Sequence, residues 1–313
     1  MESEEERKKE MEEVLNELEK DIQPIPQFSP EVTIMQIKYT PEEKRIMNIF
    51  RGVILSKLIS LNVYKLTTIV IGFFPTNYAA WVIRRECINQ LPEIKKEEEF
   101  KWLDDIIIIN QKNYQIWHHR KLLIDKFEDV SHEKNVMDQV FKYEPKNFHA
   151  WSHRIWMIRR FNNTEGEFEF IDEMLRCDIK NNSAWNYRFF IVQYMNFKME
   201  KNIVEQEIKY AMDKIKLTPV NECPYSYIRG YLKKYGYKFS DFSFIKEEIE
   251  KIVEKDEKNQ YGLNLLLDIY EEEKSEKKYI ETIEKLIKID FIRKKYYNWR
   301  KQNSGFESTK SSD

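Results

Sequence analysis

Apolar residues along most of this chain recur at the three- and four-residue step of amphipathic helices and not at the two-residue step of strands. Phe100-Lys-Trp102-Leu103-Asp-Asp-Ile106-Ile107-Ile108-Ile109 and Val136-Met137-Asp-Gln-Val140-Phe141 are two such stretches. Each is followed by a segment that repeats elsewhere in the chain without gaps. The copies read Asn77-Tyr-Ala-Ala-Trp81-Val-Ile-Arg84, Asn113-Tyr-Gln-Ile-Trp117-His-His-Arg120, Asn147-Phe-His-Ala-Trp151-Ser-His-Arg154 and Asn181-Asn-Ser-Ala-Trp185-Asn-Tyr-Arg188. The shared pattern is Asn-x-x-x-Trp-x-x-Arg. A decayed fifth copy starts at Asn221, with Tyr225 in the tryptophan slot and the arginine displaced to Arg229.

The tryptophan slots lie 36, 34, 34 and 40 residues apart, the length of a helix-turn-helix unit. Asn stands where an N-cap is wanted, since its side-chain oxygen can accept an amide of the first helical turn. Trp and Arg, three apart, share one helical face, so the ring can bury against a neighbouring repeat while the guanidinium reaches backbone or carboxylate groups. Pro145 and Pro219, just ahead of Asn147 and Asn221, mark turns between the two helices of a pair. The stretches from Phe244, Tyr261 and Tyr279 continue the helical step without the tryptophan, as capping pairs would. The predicted fold is all-α: an α-α superhelix, a crescent-shaped solenoid of helical hairpins over residues 39–301. Residues 1–38, charged and then punctuated by Pro24, Pro26 and Pro30, predict a frayed helix and an extended, partly disordered arm; residues 302–313 predict a disordered tail.

Composition narrows the function. With 313 residues, 42% hydrophobic and 14% aromatic, but only seven glycines, the chain can bury a large core and is unsuited to a turn-heavy β fold. The 52 basic and 54 acidic residues leave a net charge of -2, so no global positive field is available to hold nucleic acid. Cys87, Cys177 and Cys223 are widely spaced, which argues against a disulfide framework or a zinc knuckle. The acidic start lacks a signal-peptide core, and no window reaches the roughly 18 apolar residues of a membrane span, so a cytoplasmic location and no membrane insertion are expected.

The four tandem motifs resemble the protein prenyltransferase alpha-subunit repeat family, in particular its branch shared by farnesyltransferase and geranylgeranyltransferase type I. Lys112-Asn-Tyr-Gln-Ile-Trp-His-His-Arg-Lys121, Lys146-Asn-Phe-His-Ala-Trp-Ser-His-Arg154 and Leu217-Thr-Pro-Val-Asn-Glu-Cys-Pro-Tyr-Ser-Tyr227 carry the likeness, which runs from about residue 39 to 300. The resemblance implies one half of a heterodimeric transferase. Its partner would be a beta subunit that binds the isoprenoid diphosphate and holds Zn2+, with Mg2+ an open option for the holoenzyme. This chain itself would bind no cofactor or metal. The substrates would be an isoprenoid diphosphate and the cysteine of C-terminal CaaX motifs.

By the same resemblance Lys112 is the catalytic candidate, reaching the diphosphate from a position just before a helix N-terminus that itself favours anions. Gln115 would hydrogen-bond the peptide carboxylate and Tyr114 would line the rim. Phe148 and His149 occupy the place of a family Tyr-His pair; Phe148 lacks the hydroxyl expected to reach the diphosphate. His118, His119 and His153 suit structural hydrogen bonding, because neighbouring helical residues point about 100° apart and no ligand spacing recurs. The cysteines read as packing residues, the tryptophans as core, and the runs 95–99 and 271–278 as solvated. Two alternatives stand: the alpha subunit of Rab geranylgeranyltransferase, and a non-enzymatic helical-repeat scaffold for protein binding.

Overall fold

A computed structural model describes residues 4–27, 38–196 and 198–306. Among them the chain forms sixteen α-helices, two short 3-10 turns and no strand. They fall into two compact units, Met1–Met157 and Ile158–Asp313, each with its own buried core.

In the first unit, α1 (Glu4–Asp21) and α2 (Pro41–Ser56) precede the hairpins α3 (Leu61–Phe73) with α4 (Tyr78–Gln90), α5 (Lys96–Ile109) with α6 (Tyr114–Phe127), and α7 (Glu133–Tyr143) with α8 (Phe148–Phe161), the last four residues of which are counted in the second unit. The second unit holds α9 (Glu167–Cys177) with α10 (Asn182–Met195), α11 (Lys201–Leu217) with α12 (Glu222–Tyr235), α13 (Phe244–Lys255) with α14 (Gln260–Glu272), and α15 (Glu276–Ile289) with α16 (Lys294–Asn303).

The N-terminal helix is docked and not frayed. Val14, Leu15 and Leu18, continued by Ile22 just past the helix end, form a buried stripe on an otherwise charged helix that packs against α2 and α3. The extended segment after it is strapped down, with Ile25 N donating to Asn48 O (2.9 Å) and Arg51 Nε to Ile25 O (2.8 Å). Gly52 permits this approach: a Cβ there would lie 2.4 Å from Ile22 Cγ2 and 2.6 Å from the Gln23 carbonyl. Residues 28–37 of the predicted arm and 307–313 of the predicted tail lie outside the described residues. Gln302 and Asn303 finish α16, and the Phe306 ring sits 5.1 Å from that of Tyr279.

One turn recurs six times. In each, the amide of an asparagine closes on the carbonyl three residues back: Asn77 on Phe74 (2.9 Å), Asn113 on Asn110 (2.9 Å), Asn147 on Glu144 (3.0 Å), Asn181 on Asp178 (3.0 Å), Asn221 on Thr218 (3.1 Å) and Asn259 on Asp256 (3.0 Å). Pro75, Pro145 and Pro219 take the second position, where their fixed φ suits the turn. The asparagine oxygen then caps the next helix, accepting from Ala80 N, Gln115 N, Ala150 N, Ser183 N and Ala184 N, Cys223 N, and Gly262 N respectively. The sixth copy, at Asn259, has Leu263 in the tryptophan slot and Leu266 in the arginine slot, both buried.

The four tryptophans are buried, at 0% to 6% exposure. Each indole N–H donates to the carbonyl six residues ahead: Trp81 to Pro75 (2.8 Å), Trp117 to Gln111 (2.8 Å), Trp151 to Pro145 (2.9 Å) and Trp185 to Ile179 (2.9 Å). The Tyr225 hydroxyl reproduces the contact on Pro219 (2.9 Å). Four of these carbonyls accept a second time, from the asparagine Nδ2 of the following repeat: Pro75 from Asn113 (2.8 Å), Gln111 from Asn147 (3.3 Å), Ile179 from Asn221 (2.8 Å) and Pro219 from Asn259 (2.9 Å). One asparagine therefore caps its own helix and ties its turn to the previous one, which is why this residue type recurs where serine or aspartate would cap equally well.

The arginines are placed by carboxylates that the sequence pattern did not expose. Arg84 Nε and Nη2 grip Glu99 (2.7 and 2.6 Å), Arg120 grips Glu133 (Nη2 at 2.7 Å) and Arg188 grips Glu207 (2.8 and 2.9 Å). Arg154, also buried, lies 3.5 Å from Asp138. Glu99, assigned above to a solvated run, is 1% exposed. A ring from the second helix of the same hairpin bonds each of these glutamates, and Glu167 likewise: His119 on Glu99 (2.8 Å), His153 on Glu133 (2.7 Å), Tyr187 on Glu167 (2.5 Å) and Tyr227 on Glu207 (2.6 Å). Burial would raise the Glu99 carboxyl, but Arg84 and the His119 hydrogen bond bring it down to about 2. Burial likewise keeps His119 and His153 below the usual histidine value, so each is neutral, donating from Nε2 and leaving a buried Nδ1 without a partner.

Candidate functional site

The turns of the first unit gather side chains that the core does not use. Ile109 and Tyr114 flank the α5–α6 turn, Tyr143 and Phe148 the α7–α8 turn, and Phe73 and Tyr78 the α3–α4 turn; Ile109 is 82% exposed and Tyr143 70%. Because the Asn113 and Asn147 amides stitch successive turns together, these apolar groups lie along one edge. A row of large exposed apolar side chains marks an interaction surface.

Within that edge, the predicted residues Lys112, Tyr114, Phe148 and His149 come together. Lys112 immediately precedes the Asn113 cap, and its Nζ lies 2.9 Å from Glu144 Oε1 on the following turn. Glu144 is anchored in return, its Oε2 accepting from Asn147 Nδ2 at 3.1 Å. The Lys112 hydrogen bond, aided by Asn147, holds the Glu144 carboxyl below the usual carboxylate range. His149 crosses over: its ring meets the Tyr114 ring edge-on at 4.3 Å and stacks on Trp117 at 6.3 Å with planes 11° apart. Burial holds its pKa down. Phe148 lies edge-on to His149 at 5.6 Å and is otherwise exposed. Gln115, half-buried on the first turn of α6, donates its backbone amide to Asn113 Oδ1. Beside Lys112 an open depression of about 610 Å³ is floored by Ile108, Ile109, Asn110 and Gln111 and walled by Pro75 and Glu144.

This arrangement can present one mobile ammonium, next to a helix N-terminus, to an anion arriving at the edge. Glu144 is the member that sequence reasoning missed. Among the described residues, no group of three or more His, Cys, Asp or Glu is placed to hold a metal ion. Cys87 is buried, and burial raises its thiol to about 11. Cys177, expected as a packing residue, is exposed at the end of α9, and Cys223 is half-buried.

The fold defines a helical-hairpin repeat protein with large apolar side chains exposed at the turns of its first unit. Residues 96–127, 130–161 and 164–195, which are the hairpins α5–α6, α7–α8 and α9–α10, match the protein prenyltransferase alpha subunit repeat. The particular proteins it is similar to are alpha subunits of the farnesyltransferase/geranylgeranyltransferase type-1 kind. The Schizosaccharomyces pombe subunit is 34% identical over 110 residues, 35% of this chain and 37% of the relative. The Candida albicans subunit is 29% identical over 111 residues, 36% of each. The matched stretch thus spans little more than a third of these curated relatives. Structural similarity reaches further. A chain of the Candida albicans protein geranylgeranyltransferase-I complexed with GGPP superposes with a TM-score of 0.84 at 26% identity, covering 91% of this chain and 98% of that one.

Proposed function

We propose that this chain is the alpha subunit of a heterodimeric protein prenyltransferase, inactive alone, that transfers farnesyl to the cysteine of CaaX substrates and, with another beta subunit, geranylgeranyl. The observation that carries the reading is the placement of Lys112: an exposed ammonium at the head of α6, on a rim of unsatisfied apolar side chains, within the matched repeat. The rim is the surface offered to a prenyltransferase beta subunit, which would hold Zn2+ and the isoprenoid chain; Mg2+ would belong to the assembled enzyme.

In the transfer the cysteine sulfur forms a bond to C1 of the isoprenoid as the bond to diphosphate breaks. Negative charge builds on the departing oxygens. A preplaced ammonium stabilises that charge more in the transition state than in the ground state, which is the condition for accelerating the step. Tyr114 and His149 limit the directions open to the Lys112 backbone, and Gln115, next to Tyr114 on the first turn of α6, is suited to donate to a peptide carboxylate. Phe148 offers the diphosphate no hydroxyl, so that contact is either lost or carried by His149 and the partner. No helix among the described residues is long and apolar enough to cross a membrane, and we place the enzyme in the cytoplasm.

Co-expression with candidate beta subunits, followed by prenylation assays with both lipid diphosphates, tests the reading. A stable heterodimer that prenylates a CaaX peptide is expected. A monomer that binds none of these partners would return the chain to the scaffold alternative.

A further inference from the structure

We propose that Glu144 is a positioning residue for Lys112: it parks the ammonium at the mouth of the depression and yields it to an incoming diphosphate, so that it sets how tightly the assembled enzyme holds its isoprenoid diphosphate. This rests on the reading of Lys112 above. Glu144 is unlike a chance surface acid because it is fixed at three points. Its backbone carbonyl receives Asn147 N at 3.0 Å, its Oε2 receives Asn147 Nδ2 at 3.1 Å, and its Oε1 faces Lys112 Nζ at 2.9 Å. The asparagine that holds it is the one that caps α8 and bonds the Gln111 carbonyl, so the carboxylate is referenced to the repeat ladder itself.

The ammonium, by contrast, is 78% exposed and is held at its tip by this pair. A pair so open to water is held weakly. An anion carrying two or three charges therefore outcompetes one carboxylate, and Lys112 swings over without leaving a buried charge behind. The carboxylate taxes binding in the resting state and takes the ammonium back when diphosphate departs.

Glu144→Gln keeps the side-chain shape and an oxygen for Asn147 but releases Lys112. In the assembled heterodimer, farnesyl or geranylgeranyl diphosphate should then bind about fivefold more tightly (about 1 kcal/mol at 1.4 kcal/mol per tenfold). Inorganic diphosphate should inhibit more strongly by a similar factor, and both differences should shrink at high salt. A merely structural role for Glu144 would lower stability without tightening an anion. The same substitution made in Lys112→Ala is the control: the gain should fall below about twofold there. Lack of tightening in the single variant overturns the proposal, as does an equal gain in the Lys112→Ala background, which would mean direct repulsion between Glu144 and the anion. If Lys112→Ala alone leaves diphosphate affinity and turnover unchanged, the reading of Lys112 fails and this inference with it. If Lys112→Ala weakens binding while Glu144→Gln does nothing, this inference alone fails.

Discussion

Glu99→Gln is the most informative test of how the repeats are held together. The Glu99 carboxylate accepts four hydrogen bonds, from Arg84 Nε (2.7 Å), Arg84 Nη2 (2.6 Å), His119 Nε2 (2.8 Å) and the Tyr64 hydroxyl (2.5 Å), with Glu99 and Arg84 both 1% exposed. A glutamine fits the space but replaces one acceptor oxygen with an NH2 aimed at donors, and it leaves the Arg84 guanidinium buried without a counter-charge. Breaking a buried pair from one side costs about 3–5 kcal/mol. Replacing both members with apolar residues of similar volume, Arg84→Met with Glu99→Leu, removes the stranded charge; it leaves His119 Nε2 and Tyr64 Oη unpaired, at about 1–3 kcal/mol each, and takes the Arg84 Nη1 donor from the Thr67 and Thr68 hydroxyls, at about 1 kcal/mol together. At central values the double variant should lose about 5 kcal/mol against about 8 for the sum of its own singles, Arg84→Met and Glu99→Leu, a coupling of about 3 kcal/mol. Urea unfolding followed by tryptophan fluorescence measures this. A Glu99→Gln chain within about 1 kcal/mol of wild type, or a strictly additive double variant, would refute the claim that the buried carboxylates lock one repeat to the next.

Asn113→Asp separates the two duties of the ladder asparagine: it preserves the cap on α6 but turns the donor facing the Pro75 carbonyl into an acceptor, and a loss of about 1–2 kcal/mol is expected, read by urea unfolding beside Asn113→Ser, which also caps but sets no charged oxygen against that carbonyl. Acid should unfold the protein in two stages. His119 and His153 are held below their ordinary 6.5, so an unfolded chain takes up protons first and stability starts to fall below about pH 6.5. Glu99 is held at about 2 against an ordinary 4.5, so its contribution is whole above pH 4.5 and disappears between there and about 2. A melting temperature flat from pH 7 to 4 would contradict the histidine assignment.

The helical pairing, the asparagine caps and the burial of Trp81, Trp117, Trp151 and Trp185 were legible in the sequence because each depends on spacing inside one helix and its turn. The sixth turn was not, since Leu263 and Leu266 erase both conspicuous residues while Asn259 keeps the cap. The buried acids were legible in principle: Glu99, Glu133, Glu167 and Glu207 each stand eighteen residues before the tryptophan or tyrosine slot and twenty before its ring partner. They were hidden because an acid in a charged run is ordinarily solvated, and for Glu99, Glu133 and Glu207 only stacking brings an arginine from the preceding hairpin against it. The docking of the N-terminal helix is hidden in the sequence for a related reason. Its buried Val14, Leu15 and Leu18 make a narrow stripe inside a charge-rich segment, enough to dock when α2 and α3 supply the other face. At the candidate site, Lys112, Tyr114 and His149 were found through family resemblance, whereas Glu144 carries no local signature and becomes visible only when two turns lie side by side.

The central claim is that this chain lends one positive charge to chemistry performed in a complex. Single-turnover prenyl transfer by the heterodimer containing Lys112→Ala tests it most directly. The transfer step should slow by about 10- to 1000-fold, with folding and partner affinity unchanged. An unaltered single-turnover rate would contradict it.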